Sequence, residues 1–287
     1  MSRPQLAPGV EIVTAPGRPP AVRTPGGEFV RLNAPREAVA GLLDLLGGGP
    51  ADRPAEPQAA RLLDAFAEAG YLDAPPPWPP ERADILVLGD DRLTAPLTGF
   101  LSAAGARPRP GTPKDVAALA DARTSDAAAV VWCLDRPVPP GLWEDADRLP
   151  ARGIAWARCH REGLQVWIEP IAASPGDVLS AHVAARRLAA TPAHRELAAY
   201  WAGAAGASGG TVVSGPHPVT GPAAAATAAA LLAADLADWA VGACDGRTKA
   251  PLPARRRLRR LDLRDLTVTD HCVLPVPRVA PITEHRA

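Results

Sequence analysis

Short apolar stretches separated by proline and glycine turns occupy the first part of the chain, and helical spacing follows them. The turns are Pro16-Gly17 and Pro25-Gly26-Gly27, and the extended segments predicted on either side are residues 10–14, 21–24 and 28–32. We expect these three strands to form an antiparallel meander. Apolar residues then recur at helical spacing over 35–47 and again over about 57–69, where Gly70 is the predicted stop. Three small strands and two helices predict a winged-helix domain.

The proline-rich stretch 74–80 separates this region from a differently patterned one, because proline favours an extended, semi-rigid chain. We place a first domain at residues 1–74, a linker at 75–82 and a second domain at 83–287. The second domain opens with a buried-strand pattern at 84–88, a helix over 94–104 and an apolar run at 127–134. Strand, helix, strand predicts a parallel, Rossmann-like α/β unit.

The remaining elements are predicted from the same periodicities. Strands are expected at 153–157 and 164–169, helices at 177–190, 193–204 and 223–240, and one or two further strands within 258–274. The fold class is therefore a winged-helix α+β domain followed by an α/β domain.

Composition and charge exclude several classes of protein. The 287 residues are 47% hydrophobic and 22% charged, which rules out a disordered chain, and 31 basic side chains balance 31 acidic ones. Residues 1–75 hold seven basic and nine acidic residues (7 − 9 = −2), which disfavours DNA binding. The alanine-rich stretch 223–232 is too short to cross a bilayer of ~30 Å. We expect a cytoplasmic protein with no membrane or nucleic-acid partner.

Nucleotide, metal and nucleophile motifs are poorly matched. After the first strand of the second domain, only Gly89 survives of a G-x-G-x-x-G loop, and Asp91 stands where the second glycine would lie beside phosphates. The adjacent pairs Cys159-His160 and His271-Cys272 would each supply one metal ligand rather than two, because neighbours on a strand point to opposite faces. Ser214 to His217 indicates a flexible loop. We therefore predict no catalytic residue, no cofactor and no metal.

A peptide-binding edge is the positive hypothesis from the residues themselves. A meander leaves an outer strand whose backbone can accept an extended peptide as an added strand. The sequence places this strand beside the second helix, and an edge covered by the rest of the protein is the competing interpretation. The predicted peptide-binding residues are Glu28, Phe29, Val30, Arg31, Leu32, Arg61 and Ala65.

The run "LAPGVEIVTAPGRPPAVRTPGGEFVRLNAPREAVAGLLDLL" with "AARLLDAFAEAGYLD" resembles the PqqD-like element that binds leader peptides of ribosomally made natural products. "DILVLGDDRLTAPLTGFLSAAGA", "AAAVVWCLD", "GLQVWIEPIAASPGDVLSAHVAARRL" and "LTVTDHCVLPVPRVAPI" resemble the ThiF-like half of azoline cyclodehydratase systems. Together these stretches cover nearly the whole chain.

The resemblance implies structural zinc held by two Cys-x-x-Cys pairs, but Asp177 and Ser180 fall at the first pair and Val279 and Ile282 near the second. It also implies that adenylating relatives need a glycine-rich loop, which this chain lacks. We therefore expect the chain not to be an enzyme, and to present a precursor's Cys, Ser or Thr residues to a separate YcaO-type, ATP-dependent cyclodehydratase.

Two alternatives remain. One is an autonomous ThiF-like adenylating enzyme or another Rossmann-type transferase, and the other is a winged-helix regulator with a sensory domain. The basic run Arg255 to Arg260 is open to interpretation as a binding patch, a solvated face or a strand edge. The oligomeric state is open, with a homodimer as one option.

Overall fold

The structure is a computed structural model of the chain, and it describes residues 4–47, 57–72, 78–122, 125–204, 220–245 and 252–277. Two compact units divide the chain, Met1–Pro77 (unit 1) and Trp78–Ala287 (unit 2). Of the predicted 75–82 linker, residues 75–77 lie outside the described part of the chain.

Unit 1 begins with three short strands, β1 (Glu11–Val13), β2 (Ala21–Arg23) and β3 (Phe29–Arg31), in the order β1-β2-β3. Both pairings are antiparallel, as the predicted meander requires. Helices α1 (Arg36–Gly47) and α2 (Pro57–Glu68) follow. Gly70, with φ of +72°, takes the left-handed backbone that ends α2. The winged-helix assignment of this unit stays a prediction.

The core of unit 1 forms where one face of the sheet meets the two helices. Its buried members are Ala7, Val10, Val22, Leu42 and Phe66. Val22 comes from β2, Leu42 from α1 and Phe66 from α2, so each element contributes its apolar face.

Unit 2 is a mixed α/β fold around a sheet of seven described strands. The elements of its first half are β4 (Asp84–Gly89), α3 (Asp91–Ala103), β5 (Arg107–Pro110), α4 (Pro113–Asp121) and β6 (Ala129–Leu134). The elements of its second half are β7 (Ala155–Glu162), β8 (Gln165–Ile168), α5 (Ser180–Ala189), α6 (His194–Ala204), α7 (Pro222–Asp245), β9 (Arg257–Asp262) and β10 (Val268–Cys272).

The sheet order is β10-β9-β8-β7-β6-β4-β5, in which β5, β4, β6 and β7 are parallel and the other pairings are antiparallel. Ile85 and Val87 of β4 face a core shared with α3 and α7, whereas Leu86 and Leu88 face a second core on the other side. The predicted parallel α/β unit is therefore confirmed, and the sheet is covered on both faces.

The strand β5 and the helix α4 were not predicted from the sequence. The β5 residues read Arg-Pro-Arg-Pro, which is unlike a strand, but the backbone N–H groups of Arg107 and Gly111 donate to Ala83 and Val87 while the prolines have no N–H to satisfy. Proline is tolerated in this way on an edge strand. Helix α4 begins at a capping box in which Thr112 and Asp115 satisfy each other's backbone N–H groups.

Helix α7 is longer than predicted and begins and ends outside the 223–240 range. The segment Pro222–Gly242 is long and apolar enough to cross a membrane, but half of its most apolar window is buried within the protein. Ala225, Ala228, Leu232 and Leu236 lie in the core beside α3. Its apolar character is therefore explained by packing in unit 2.

Candidate functional site

Strand β3 is an outer strand of the unit 1 sheet, since β2 is its one neighbour among the described strands. All three of its residues are exposed, and Phe29 (62% exposed) and Val30 (43% exposed) are large apolar side chains in contact with solvent. An exposed apolar edge strand is normally covered by another element or used to bind another chain, because its unpaired backbone groups can pair with a further strand.

The register shows which backbone groups of β3 face outward. Thr24 donates to the carbonyl of Glu28, Leu32 donates to the carbonyl of Pro20, and Val30 lies opposite Val22. Residues that point their N–H and C=O groups at the partner strand alternate in an antiparallel pair. Glu28, Val30 and Leu32 therefore face β2.

The alternate residues of β3 are Phe29 and Arg31, so their backbone N–H and C=O groups point to the open edge. Each of these two residues therefore offers one N–H donor and one C=O acceptor to an added strand.

Side-chain alternation divides the predicted peptide-binding residues between two faces of the sheet. Directly paired residues point their side chains to the same face, so Val30 shares the core face with buried Val22. Phe29 and Arg31 project to the opposite face. Helix α2 packs on the core face through Leu62, Leu63 and Phe66.

The remaining predicted residues lie around this edge. Glu28 is exposed, whereas Leu32 is half-buried against the core. Arg61 and Ala65 lie one turn apart on α2, and both are exposed. The sequence predicts that Phe29 and Arg31 share a groove with these two α2 residues. In the structure Phe29 and Arg31 instead point away from the face on which α2 packs, and Val30 is the β3 residue whose side chain faces it. The assignment of all seven residues to peptide binding stays a prediction.

In unit 2, the turn after β4 is shaped by contact between strands. Gly89 has φ of +120°, and a Cβ atom there would lie 1.8 Å from the carbonyl oxygen of Cys133 in β6. Asp90 donates its N–H to the same carbonyl at 2.9 Å. The glycine is therefore required by strand packing, whether or not a phosphate approaches.

The carboxyl ends of β4, β6 and β7 are tied together by acidic side chains. Asp90 Oδ2 accepts the backbone N–H of Asp135 at 2.7 Å. Asp135 in turn accepts from Arg161 Nε at 2.6 Å and from the hydroxyl of Thr220. This edge, where Rossmann-like folds hold their ligands, is occupied by the protein's own hydrogen bonds.

The two positions that the sequence resemblance matched to a first zinc-binding pair have other roles. Asp177 is 1% exposed, and its carboxylate accepts the backbone N–H groups of Ala173 and Ser174 and the side chain of Arg255. Ser180 begins α5. Within the described ranges, no group of three or more His, Cys, Asp or Glu side chains is placed to hold a metal ion. Val279, Ile282 and the loop Ser214 to His217 lie outside the described residues.

The basic run Arg255 to Arg260 is largely consumed by internal ion pairs. Arg257 pairs with Asp235, and Arg259 reaches the same carboxylate at 2.8 Å. Asp235 is 2% exposed and lies on the apolar helix α7. The interpretation as a strand edge is wrong, because Arg257 and Arg259 lie on β9, an inner strand that pairs with β8 and β10.

A buried polar cluster around Glu162 was missed by the sequence analysis. Glu162, at the end of β7, accepts hydrogen bonds from both terminal nitrogens of Arg187, at 2.9 and 2.6 Å. The indole N–H of Trp201 donates to it at 2.8 Å, and His160 Nε2 lies 3.2 Å away. The Arg187 guanidinium also stacks 4.0 Å from the ring centroid of Trp167. Residues from β7, α5 and α6 thus meet at one carboxylate, and β8 supplies the ring that stacks on Arg187.

A second buried ion pair lies next to this cluster. Arg158 is fully buried, donates to Glu169 at 2.5 Å and also bonds the carbonyl of Val178. His160 Nδ1 lies 3.6 Å from Glu169, so the imidazole lies between two carboxylates. Cys159 points to the other face of the sheet, as strand alternation requires.

Local interactions shift the pKa values of two buried groups in this region. Burial by itself would raise the pKa of Glu162, but hydrogen bonds from His160 and Arg187 outweigh it and hold the pKa well below its usual range. Hydrogen bonding with Cys133, together with burial, raises the pKa of the Cys159 thiol. Glu162 is therefore ionised, and the Cys159 thiol stays protonated.

One signal in the sequence could have indicated the cluster. Arg158, His160 and Glu162 occupy alternate positions of β7, a strand whose first three residues are apolar. Three polar side chains on one face of a strand flanked by buried strands require partners, although the sequence does not say which.

Solved structures similar to this chain share its fold over nearly its whole length. One is a heterocyclase in complex with substrate and cofactor (TM-score 0.62, 15% identity, 95% of this chain and 38% of that chain). Another is the heterocyclase TruD (TM-score 0.64, 16% identity, 96% of this chain and 42% of that chain). A third is E. coli MccB with ATP (TM-score 0.54, 10% identity, 96% of this chain and 97% of that chain).

This chain spans about two fifths of the length of the two heterocyclase chains. No protein-family model and no curated protein matches the sequence. At these identities the similarity establishes the fold alone, and the mixed α/β fold expected for the second domain is confirmed. The ThiF-like assignment of that domain stays a prediction.

The prediction that the chain is not an enzyme is contradicted by these structures. The fold is that of a heterocyclase and of a protein solved with ATP, so it occurs in catalysts. The prediction rested on the missing glycine-rich loop, which is one sequence feature and weighs less than the fold shared with these proteins. The departure from that motif therefore does not exclude catalysis.

Proposed function

We propose that this chain takes part in making azoline-containing peptides, and that it captures a ribosomal precursor by adding the precursor's leader as a strand to β3. The observation that carries the proposal is the open edge of β3, with outward backbone groups at Phe29 and Arg31 beside the exposed Phe29 ring. Strand addition supplies affinity through backbone hydrogen bonds and selectivity through alternate side chains.

The fold shared with two heterocyclase structures supports the reaction class, which is cyclodehydration of Cys, Ser or Thr residues. In the proposal a YcaO-type, ATP-dependent cyclodehydratase acts on the captured peptide. Tethering the leader raises the effective concentration of the core residues at that active site, so binding at β3 promotes the reaction without touching the reacting atoms.

Titration of the purified chain with a fluorescein-labelled precursor, encoded beside its gene, tests the proposal by fluorescence anisotropy. Saturable binding at micromolar concentrations is expected. Arg31→Pro removes one outward N–H, and Arg31→Ala is the matched control that removes the side chain but keeps the N–H. A net hydrogen bond of about 1 kcal/mol predicts roughly fivefold weaker binding for the proline variant relative to the alanine variant.

Absence of saturable binding, or equal affinities for the two Arg31 variants, would refute strand addition at β3. Because all seven tryptophans lie in unit 2, an unchanged tryptophan emission spectrum does not test unit 1, so folding of the variants is checked by circular dichroism.

Adenylation is a second candidate, and the fold shared with ATP-bound MccB favours it. ATP–pyrophosphate exchange by the purified chain, with and without precursor, measures it directly. Exchange that depends on the precursor supports adenylation, and no exchange under either condition argues against it.

A further inference from the structure

A cavity of about 280 Å³ in unit 2 lies beside the Glu162 cluster, and we name it the Trp143 cavity. The loop after β6, the end of β7 and helices α5 and α6 contribute to its wall. Members that matter for its chemistry are Pro139, Pro140, Trp143, His160, Val183 and Trp201. Its volume is just below the ~300–1,000 Å³ of typical small-molecule sites, so it fits a small ligand better than a nucleotide.

Two of the side chains that line this cavity each carry a buried polar atom without a hydrogen-bond partner in the described part of the chain. These atoms are Nε1 of Trp143 and Nδ1 of His160. The two side chains are almost fully buried, at 3% and 2% exposure, and their rings meet edge to face with centroids 5.6 Å apart. A buried donor without an acceptor costs about 1–3 kcal/mol, so native proteins seldom leave one unused.

The charged side chains around the cavity are already matched. Glu162 and Glu169 are held by arginines, as described above. Asp147 accepts the backbone N–H of Ser180 and so caps α5, which uses the helix end that would otherwise attract an anion. Glu144 is exposed to solvent. An ion entering the cavity would lose its hydration without gaining a buried, unpaired counter-charge among the described residues, and the charge of exposed Glu144 is screened by water.

We propose that the Trp143 cavity binds a small, uncharged ring that carries one hydrogen-bond acceptor. The acceptor atom of the ligand accepts a hydrogen bond from the indole N–H of Trp143. The flat ring packs against Pro139, Pro140 and the rings of Trp143 and Trp201. This inference stands on unit 2 alone. That the natural ligand is the azole or azoline ring of a modified peptide is a further step, and it rests on the proposed function.

Three probes of similar shape test the proposal by NMR of the indole N–H resonances of the full chain. They are 4-methylthiazole, which is neutral with a ring nitrogen acceptor, 3-methylthiophene, which lacks that nitrogen, and 1-methylpyridinium, which is charged. The thiazole is expected to shift the Trp143 resonance saturably, with the roughly millimolar affinity of a ligand of about six heavy atoms. The other two probes should bind at least about fivefold more weakly.

Trp143→Phe identifies the Trp143 resonance, because that resonance disappears from the spectrum. The variant also removes the N–H donor while keeping an aromatic ring. Thiazole binding, followed through the remaining indole signals, should therefore weaken at least about fivefold. Trp132→Phe is the matched control, because Trp132 belongs to the same apolar cluster but does not line the cavity. If Trp143→Phe fails to fold, the relative affinities of the three probes, measured from any indole N–H resonance that shifts in the unaltered chain, still decide. No shift at Trp143, equal binding of the thiophene, or tighter binding of the pyridinium would overturn the proposal.

These outcomes are separable from the test at β3. The ring probes contain no peptide, so their failure leaves the Arg31 result unaffected. Conversely, if the chain binds 4-methylthiazole but no precursor, the cavity proposal is supported and the proposed function is refuted.

Discussion

Replacing Glu162 by glutamine removes one charge from the most highly connected carboxylate of the buried polar cluster in unit 2. The Glu162 side chain is 10% exposed and that of its partner Arg187 is 15% exposed. Removing one member of a buried ion pair costs about 3–5 kcal/mol, because the other charge stays buried. Glutamine keeps an acceptor for Trp201 but turns an N–H₂ group toward Arg187, so we expect a loss of about 2–4 kcal/mol in the free energy of unfolding.

Tryptophan fluorescence during urea unfolding measures this loss in the correct part of the molecule, since all seven tryptophans lie at or beyond Trp78. Glu196→Gln is the matched control. Glu196 is an exposed glutamate in the first turn of α6, so its replacement should change the free energy of unfolding by no more than about 0.5 kcal/mol.

The difference between the unaltered chain and Glu162→Gln should also depend on pH. The folded state holds the pKa of Glu162 below that of an unfolded glutamate, about 4.3. Such a group contributes its full stabilisation above the unfolded pKa and loses it as the pH falls toward the folded value. The difference should therefore be constant at neutral pH and should narrow as the pH falls below about 4.3.

Two results would refute this reasoning. One is a Glu162→Gln variant within about 0.5 kcal/mol of the unaltered chain at pH 7. The other is a difference that stays constant down to acid pH, since the other carboxylates titrate in both proteins and cancel from the comparison.

Two further predictions concern backbone packing and the basic run. Gly89→Ala should destabilise unit 2 by more than about 3 kcal/mol, because its Cβ would collide with the Cys133 carbonyl, whereas Gly99→Ala, in an open position of α3, should stabilise it by about 0.5–1 kcal/mol. Thermal unfolding followed by tryptophan fluorescence compares them, and equal melting temperatures would contradict the assignment. Asp235→Asn should cost about 3 kcal/mol, at the low end for breaking a buried ion pair, because buried Arg257 then keeps only the half-exposed Asp238, 3.6 Å away, as a carboxylate partner. A urea midpoint equal to that of the unaltered chain would exclude this role.

Local periodicity was sufficient to place most of the elements. The strand β3 was expected at 28–32 and occurs at Phe29–Arg31, and the helix expected at about 57–69 occurs at Pro57–Glu68. These segments are recognisable because alternation, helical spacing and glycine stops act over a few residues. The edge strand β5 was missed, because its tolerance for proline depends on which neighbour it has.

The candidate sites depended much more on tertiary structure. The sequence indicated β3 as an edge, but the register with β2 decided that the backbone of Phe29 and Arg31 faces outward and that Val30 faces the core side. A shift of one residue would exchange these roles, and side-chain patterning over three residues does not fix it.

The sequence by itself determined most of the chain's periodic elements and its balanced charge, because these follow from neighbouring residues and from composition. Only the tertiary structure decided that Glu162 meets Arg187 and Trp201, up to 39 positions away, and that Asp235 of an apolar helix neutralises Arg257 and Arg259. Buried charges must find partners, but which residues become partners is set by how strands and helices pack, and that information is not local.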